Sequence, residues 1–204
     1  MKRLLLFLLV LILCVAGYYW YAFSHGRSGD SGPKTPPLVL KQHSDTFNRA
    51  VSATLNAYFD MKAAFVEADT TQAKEACRKM IKLCDSINLA ELKKDTAGIF
   101  LSDSMTLENI KSNAKSLLVQ TDITEMRRDF GMVNENLYPF LKAINYAGPH
   151  LYWQKCPMAF GEDKPANWVS NTVEINNPYL GKFHPEFKGS MLHCGEILDT
   201  IKAQ

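Results

Sequence analysis

The chain has 204 residues, with 23 Lys and Arg against 21 Asp and Glu, a net charge of +2. That near-neutral balance excludes the basic footprint of a nucleic-acid-binding protein, and no glycine-rich phosphate loop, paired-histidine metalloprotease helix or internal repeat is present. The part behind the N-terminal apolar run, roughly 165 residues, suits one domain with one core.

Met1-Lys2-Arg3 precedes Leu4–Phe23, an uncharged apolar run of 20 residues, long enough to span a bilayer as a helix. The basic pair places the N-terminus in the cytoplasm, and Tyr18, Tyr19, Trp20 and Tyr21 sit where an outer aromatic belt is expected. The run reads as a single-pass anchor in a bacterial inner membrane, with the remaining chain in the periplasm. A cleaved signal peptide is the alternative, with Leu4–Val15 as its apolar region and Val15-Ala16-Gly17 as the cleavage site. Lipidation at Cys14 fits poorly, because the preceding Leu13 is large. Residues 1–24 are therefore anchor or signal, and the Gly/Ser/Pro-rich character around Ser24–Pro37 makes residues 25–43 a flexible linker.

Four apolar stripes follow. Phe47, Val51, Thr54, Tyr58, Met61 and Phe65 recur in steps of four and three, as do Ala73, Cys77, Met80, Cys84 and Ile87. Leu107, Ile110, Ala114 and Leu117 form a third stripe, and Ile123, Met126, Phe130, Val133, Leu137, Phe140 and Ile144 a fourth. Each lays one apolar face along a helix, with charged residues, Lys62 and Lys82 among them, on the solvated faces. The spacing predicts a mainly α fold, an antiparallel four-helix bundle over residues 44–147. Expected N-caps are Ser44 or Asp45, the Asp69-Thr70-Thr71 segment, Ser102 or Ser104, and Asp122. Pro139 is expected to kink the fourth helix without stopping it, and Gly148-Pro149 to end it.

The period then changes. Residues 148–204 read as a small irregular cap with short β strands, part of the same globular domain. Leu151–Cys156 is the first candidate strand, with Val173-Glu174-Ile175 and Met191–Cys194 as others. The prolines and Asn176-Asn177 favour turns.

Cys156-x-Met158 and Met191-x-x-Cys194 lie in this cap, outside any helical stripe. Brought together, two thiols and two thioethers form a soft donor set of the kind that selects Cu(I) or Ag(I). In an oxidising compartment the same Cys156 and Cys194 can instead form a structural disulfide, and both readings stand. His193 neighbours Cys194 and is a borderline ligand candidate, but in a strand it points to the opposite face, which favours a surface or supporting role. Tyr179 and Trp168 are candidates for covering the sulfur site. Cys77 and Cys84 lie about 10 Å apart along one helix face, beyond disulfide reach, and read as core, as do Met61, Met80, Met126 and Met132. His25, His43, His150 and His184 show no ligand spacing and read as solvated. No Cys-x-x-Cys pair, Ser/His/Asp set or paired carboxylates stand out, so the chain reads as non-catalytic.

The motifs Cys156-Pro157-Met158-Ala159, Trp168-Val169-Ser170, Asn177-Pro178-Tyr179-Leu180-Gly181 and Met191-Leu192-His193-Cys194-Gly195 resemble the signature of a bacterial family, domain of unknown function 3347. Tyr58–Val66 and Arg128-Asp129-Phe130 resemble its upstream patterns, so that the resemblance spans roughly Asp45 to Ile201. Lys164-Pro165-Ala166-Asn167 departs from the usual Gly-Ala pair, and His184-Pro185-Glu186-Phe187 adds length before Met191. The family also occurs at the C-terminus of periplasmic adaptors of heavy-metal efflux pumps, so the resemblance implies a heavy-metal context. The reading is an exported, membrane-tethered domain that buffers a soft ion or passes it to efflux components. The alternative is a non-catalytic structural or interaction domain stapled by Cys156–Cys194.

Overall fold

A computed structural model describes residues 15, 17–19, 43–94 and 99–202. Apart from helical Val15 and Gly17–Tyr19, the Leu4–Phe23 run lies outside the described residues, as does the linker up to Gln42. Among the described residues no helix is long and apolar enough to cross a membrane. From His43 onward the chain is mainly helical with a three-stranded antiparallel sheet, within a single unit.

Helix α1 spans Asp45–Val66, α2 Thr70–Cys84, α3 Ile99–Val119 and α4 Ile123–Ala143, with a 3-10 turn at Leu89–Lys94 between α2 and α3. Three of the expected caps form. Ser44 accepts from the Phe47 amide, Asp69 from Gln72, and Asp122 from Thr124 and Glu125, each satisfying amides that a helix start leaves open. The third does not: α3 begins upstream of Ser102 and Ser104. The Ser104 hydroxyl turns back to the Phe100 carbonyl at 2.6 Å, the helix-interior alternative to capping.

Side-chain bonds tie consecutive helices together. Lys74 Nζ reaches the Gln120 carbonyl while Lys111 pairs with Asp85 across α2 and α3. Ser116 and Gln120 both donate to Asp129 across α3 and α4. Tyr58 of α1 stacks on Phe130 of α4 at 5.6 Å, and Phe65 is tilted against the same ring at 5.0 Å. All the stripe positions are buried except Ile123, which is half-buried. Met132 departs from the core reading: at 52% exposed it sits on the outer face of α4, two positions from Phe130 and so roughly on the far side of the helix.

Pro139 lies inside α4, which runs on to Ala143. The helix ends before Gly148-Pro149, because Asn145 takes the left-handed conformation (φ 50°) just past the last turn. Asparagine tolerates that region and can end a helix as glycine does.

The sheet has the order β2-β1-β3, with β1 at Leu151–Cys156, β2 at Ala166–Ser170 and β3 at Glu196–Ile201. Trp153 pairs with Val169 and Cys156 with Ala166 on one side, and Tyr152 pairs with Thr200 on the other. Only the first strand matches the expectation. Val173–Ile175 and Met191–Cys194 are bends and turns, held by loop bonds such as the Cys194 amide on the Met191 carbonyl. Strand β3 is tied to α4 through Asp199, which accepts from Tyr138 and from Lys142 at 2.8 Å, while the Tyr138 ring stacks on Trp153 at 4.4 Å.

Lys62 is also placed differently from the expectation. It is 7% exposed, and its ammonium donates to the Ser170 hydroxyl at 3.0 Å. Burial lowers its pKa to about 8. The native state therefore binds that proton less readily than the unfolded chain, so the charge opposes folding below the folded pKa. That penalty fades as pH rises from about 8 toward the unfolded value near 10.5.

Lys62→Met is expected to stabilise the protein by about 1–3 kcal/mol at pH 7, and the gain to shrink by roughly 2 kcal/mol at pH 10. Urea denaturation of both proteins at the two pH values checks this, and a gain independent of pH would contradict the buried charge. By contrast, Phe130→Asp places a charge among rings and is expected to abolish cooperative unfolding. Lys82→Glu, on the solvated face, is expected to stay within about 0.5 kcal/mol of the parent in the same measurement.

Candidate functional site

Two close approaches of the cap chain admit only glycine, one onto a helix end and one onto the sheet. At Gly181 a Cβ would lie 2.3 Å from the Val66 carbonyl oxygen, because the chain crosses the end of α1 and the Lys182 amide caps that carbonyl at 2.9 Å. Gly195, at φ +154°, would put a Cβ 2.7 Å from the Lys155 carbonyl and 3.2 Å from the Trp168 ring. The glycines of the Asn-Pro-Tyr-Leu-Gly and Cys-Gly motifs thus set how closely the loops pack.

Between them, Asn177 is fully buried, and its side-chain oxygen accepts from the amides of Tyr179 (2.8 Å) and Leu180 (3.0 Å). Its amide nitrogen donates to the Cys194 carbonyl at 2.8 Å, so this turn fixes the backbone that carries the second cysteine. Cys156, at the end of β1, is held by its register with Ala166. The two sulfurs stand 3.7 Å apart as free thiols, Cys156 fully buried and Cys194 half-buried. A disulfide needs about 2.05 Å, whereas two thiolates on one tetrahedral metal with bonds of ~2.3 Å lie roughly 3.8 Å apart. Burial raises the Cys194 pKa, and the adjacent Cys156 thiol adds to the rise.

The remaining candidates separate from this pair to different degrees. Met158 and Met191 are half-buried and pack against the core, and Met158 lines a cavity that no cysteine lines. His193 is exposed, and its Nδ1 bonds the Ile175 carbonyl at 2.7 Å. Trp168 is fully buried, edge-on to Tyr179 with ring centres 6.0 Å apart. The Tyr179 hydroxyl donates to the Asn167 carbonyl of β2 at 2.6 Å and accepts from Asn134 of α4 at 3.2 Å, so its polar end joins cap to helix. Among the described residues no three His, Cys, Asp or Glu side chains gather as a metal group.

Cys77 and Cys84 are core residues. Both are buried, Cys77 donates to the Ala114 carbonyl at 3.2 Å, and desolvation pushes both pKa values up to about 12. Two histidines expected in solvent are engaged. His43 bonds the Ile144 carbonyl at 2.9 Å and packs on Phe47, and His184 stacks on Phe187 at 5.0 Å.

A buried polar set carries no sequence signature. Asn134, inside α4, accepts from the Tyr58 hydroxyl and donates to the Phe130 carbonyl (2.8 Å) and the Tyr179 hydroxyl (3.2 Å). The Val169 amide in turn donates to Tyr58 at 3.0 Å. Arg127, 3% exposed, donates to the carbonyls of Pro178 (2.9 Å) and Phe65 (3.0 Å). The nearest signal is that Asn134 and Arg127 adjoin stripe positions, but helical periodicity does not separate a buried flank from a solvated one.

Residues 54–147 match the family model described as Protein of unknown function (DUF3347), the family that the sequence resembles. The matched stretch runs from within α1 through the end of α4 and stops before Cys156. No curated protein and no solved structure matches the chain.

Iodoacetamide labelling of the native reduced chain, read by peptide mass, is expected to modify Cys194 well before Cys77, Cys84 or Cys156. The Cys194 rate should still climb above the usual thiol pKa of about 8.5. Labelling of Cys77 or Cys84 as fast as Cys194 at pH 8 would contradict the packing described.

Proposed function

We propose that the chain is an exported, membrane-tethered domain that holds a soft metal ion, Cu(I) or Ag(I), at Cys156 and Cys194. The thioethers of Met158 and Met191 complete the donor set. An antiparallel four-helix bundle serves as the scaffold and the cap as the binding element, set in the periplasm and passing the ion to heavy-metal efflux components. The supporting observation is the 3.7 Å spacing of the two sulfurs, which suits two thiolates on one ion. The chemistry of the donors points the same way. No third His, Cys, Asp or Glu gathers with the thiols among the described residues, and His193 is engaged with the Ile175 carbonyl, so the further donors proposed are thioethers, which favour soft ions over Zn(II). Each thiol loses a proton on binding, so affinity rises with pH, the more so for a thiol whose pKa is raised.

The same spacing favours a second reading. Two thiols 3.7 Å apart need only small movements to form a bond, giving up two electrons and two protons to an oxidant of the compartment. The domain would then be a stapled, non-catalytic interaction module.

Thiol titration of the denatured, unreduced exported protein separates the readings: Cys156 and Cys194 free for the metal site, paired for the staple. Under reducing conditions Met158→Leu and Met191→Leu nearly conserve volume, so each is expected to cost less than about 1.5 kcal/mol of stability. Each is expected to weaken Cu(I) and Ag(I) binding at least about ten-fold, with Zn(II) binding poorly throughout. A double Leu variant that binds Cu(I) as tightly as the parent would remove the methionines from the site.

A further inference from the structure

A cavity of about 380 Å³ opens between the first turns of α4, the loop after β1 and the loop after Gly181. No cysteine lines it, although Met158 of the proposed donor set does. Its walls combine aromatic side chains with charged ones. Phe160 stands edge-on to Tyr179 at 5.3 Å, Phe187 carries the stacked His184 ring, and Met158 lines the space from the loop after β1. Arg127 lines the same space from α4.

The charge of Arg127 is the unusual feature. The residue is 3% exposed, yet its hydrogen-bond partners are the neutral carbonyls of Phe65 and Pro178, through Nη2 and Nε. Among the described residues Nη1 has no partner and the guanidinium makes no ion pair. Burial lowers its pKa only to about 10, so it stays protonated at neutral pH. Asp122, the acid that acts on it, is occupied in capping α4 through the Thr124 and Glu125 amides. A desolvated cation without an anion is costly, and a carboxylate accepting from Nη1 would relieve that cost with a charge-assisted bond. Arg128 adds a second positive charge, set 5.5 Å above the Phe160 ring and paired at 3.4 Å with Glu125. His184 is held toward its neutral form, by burial first and then by Arg127. Glu162 and Glu186 are exposed at the rim and disfavour ligands carrying more than one negative charge.

We infer that this cavity binds a small monocarboxylate with an apolar or aromatic body, the carboxylate on Arg127 and the body between Phe160 and Phe187. The volume falls in the range of small-molecule sites, where apolar walls supply area and a few polar groups fix orientation.

The test titrates the full chain by calorimetry with three probes: benzoate, its neutral counterpart benzyl alcohol, and inorganic sulfate. Benzoate is expected to bind at one equivalent and at least about ten-fold tighter than either of the others. Glu162→Gln with Glu186→Gln is expected to tighten benzoate about three-fold by removing rim repulsion. Arg127→Met, where circular dichroism shows a folded protein, is expected to weaken benzoate at least ten-fold. Because Arg127 also bridges two carbonyls and its loss can unfold the chain, the probe comparison and the rim variant decide the matter without it. Benzoate that fails to saturate, that binds no tighter than benzyl alcohol, or that is matched by sulfate would each overturn the assignment, as would a rim variant that binds benzoate more weakly.

Discussion

Asn134 lies fully buried in the middle of α4, where an amide side chain would ordinarily be a burden, and its bonds join helix to cap through Tyr58 and Tyr179. The segment around Asn177–Gly181 has no regular structure, yet Asn177 through Gly181 are all buried. Irregular backbone can be buried only if its amides and carbonyls find partners. Here the partners are side chains: Asn177 for the amides of Tyr179 and Leu180, Arg127 for the Pro178 carbonyl, Tyr58 for the Val169 amide and Tyr179 for the Asn167 carbonyl. Leaving one such group unsatisfied costs about 1–3 kcal/mol, against a total stability of about 5–15 kcal/mol for a domain. Loss of two or three of these bonds is therefore comparable to the stability of the whole. The position of Cys194 depends on them directly, since Asn177 holds its carbonyl.

The helices were legible because their signal is periodic and local. Stripes such as Phe47 through Phe65 place an apolar group every three or four residues, and neighbouring helices bury them together. Capping by Ser44, Asp69 and Asp122 was legible for the same reason, each needing only the next few residues. The misses have a different physics. Lys62 lies one residue from the stripe position Met61, and whether that flank meets solvent depends on where Ser170 folds, about a hundred residues later. Strand β2 is buried on both faces except at Asn167, so no polar–apolar alternation marks it. Strand β3 is exposed over its first half and is a strand because β1 offers it a pairing edge and Asp199 finds Tyr138 and Lys142. Of the site, the cysteine pairing was visible in the motifs, while the tyrosine, asparagine and arginine bonds that hold the loops depend on distances no spacing rule records.

The two cysteines are not equivalent, and this shapes what the pair can do. Cys156 ends a strand paired on both sides within the sheet and is fully buried, so its sulfur is held with little freedom. Cys194 follows a run of turns and precedes Gly195, whose left-handed backbone packs against Trp168. One sulfur is a fixed anchor, and the other is half-buried at the edge of the cap. Of the two sulfurs, that of Cys194 is the more accessible to solvent. The energetic consequence is that a change at Cys194 reaches Asn177 through its carbonyl, and through Asn177 the turn that packs on α1.

Lys62 and Arg127 are both buried cations without a carboxylate partner among the described residues, yet chemistry separates them. Lysine can shed its proton when desolvated, and the lowered pKa of Lys62 shows that tendency. Arginine cannot do so near neutral pH, so the field around Arg127 is met by the charge of Asp122 and by dipoles. The structure supplies some of this at the C-terminus of α1, where the Phe65 carbonyl receives the guanidinium and the aligned peptides carry partial negative charge. Partial charges of about half an electron offset only part of the full charge of the guanidinium that lines the cavity. Anything negative that enters there meets a cation already desolvated and already oriented by its two carbonyls, so little ordering remains to oppose its binding.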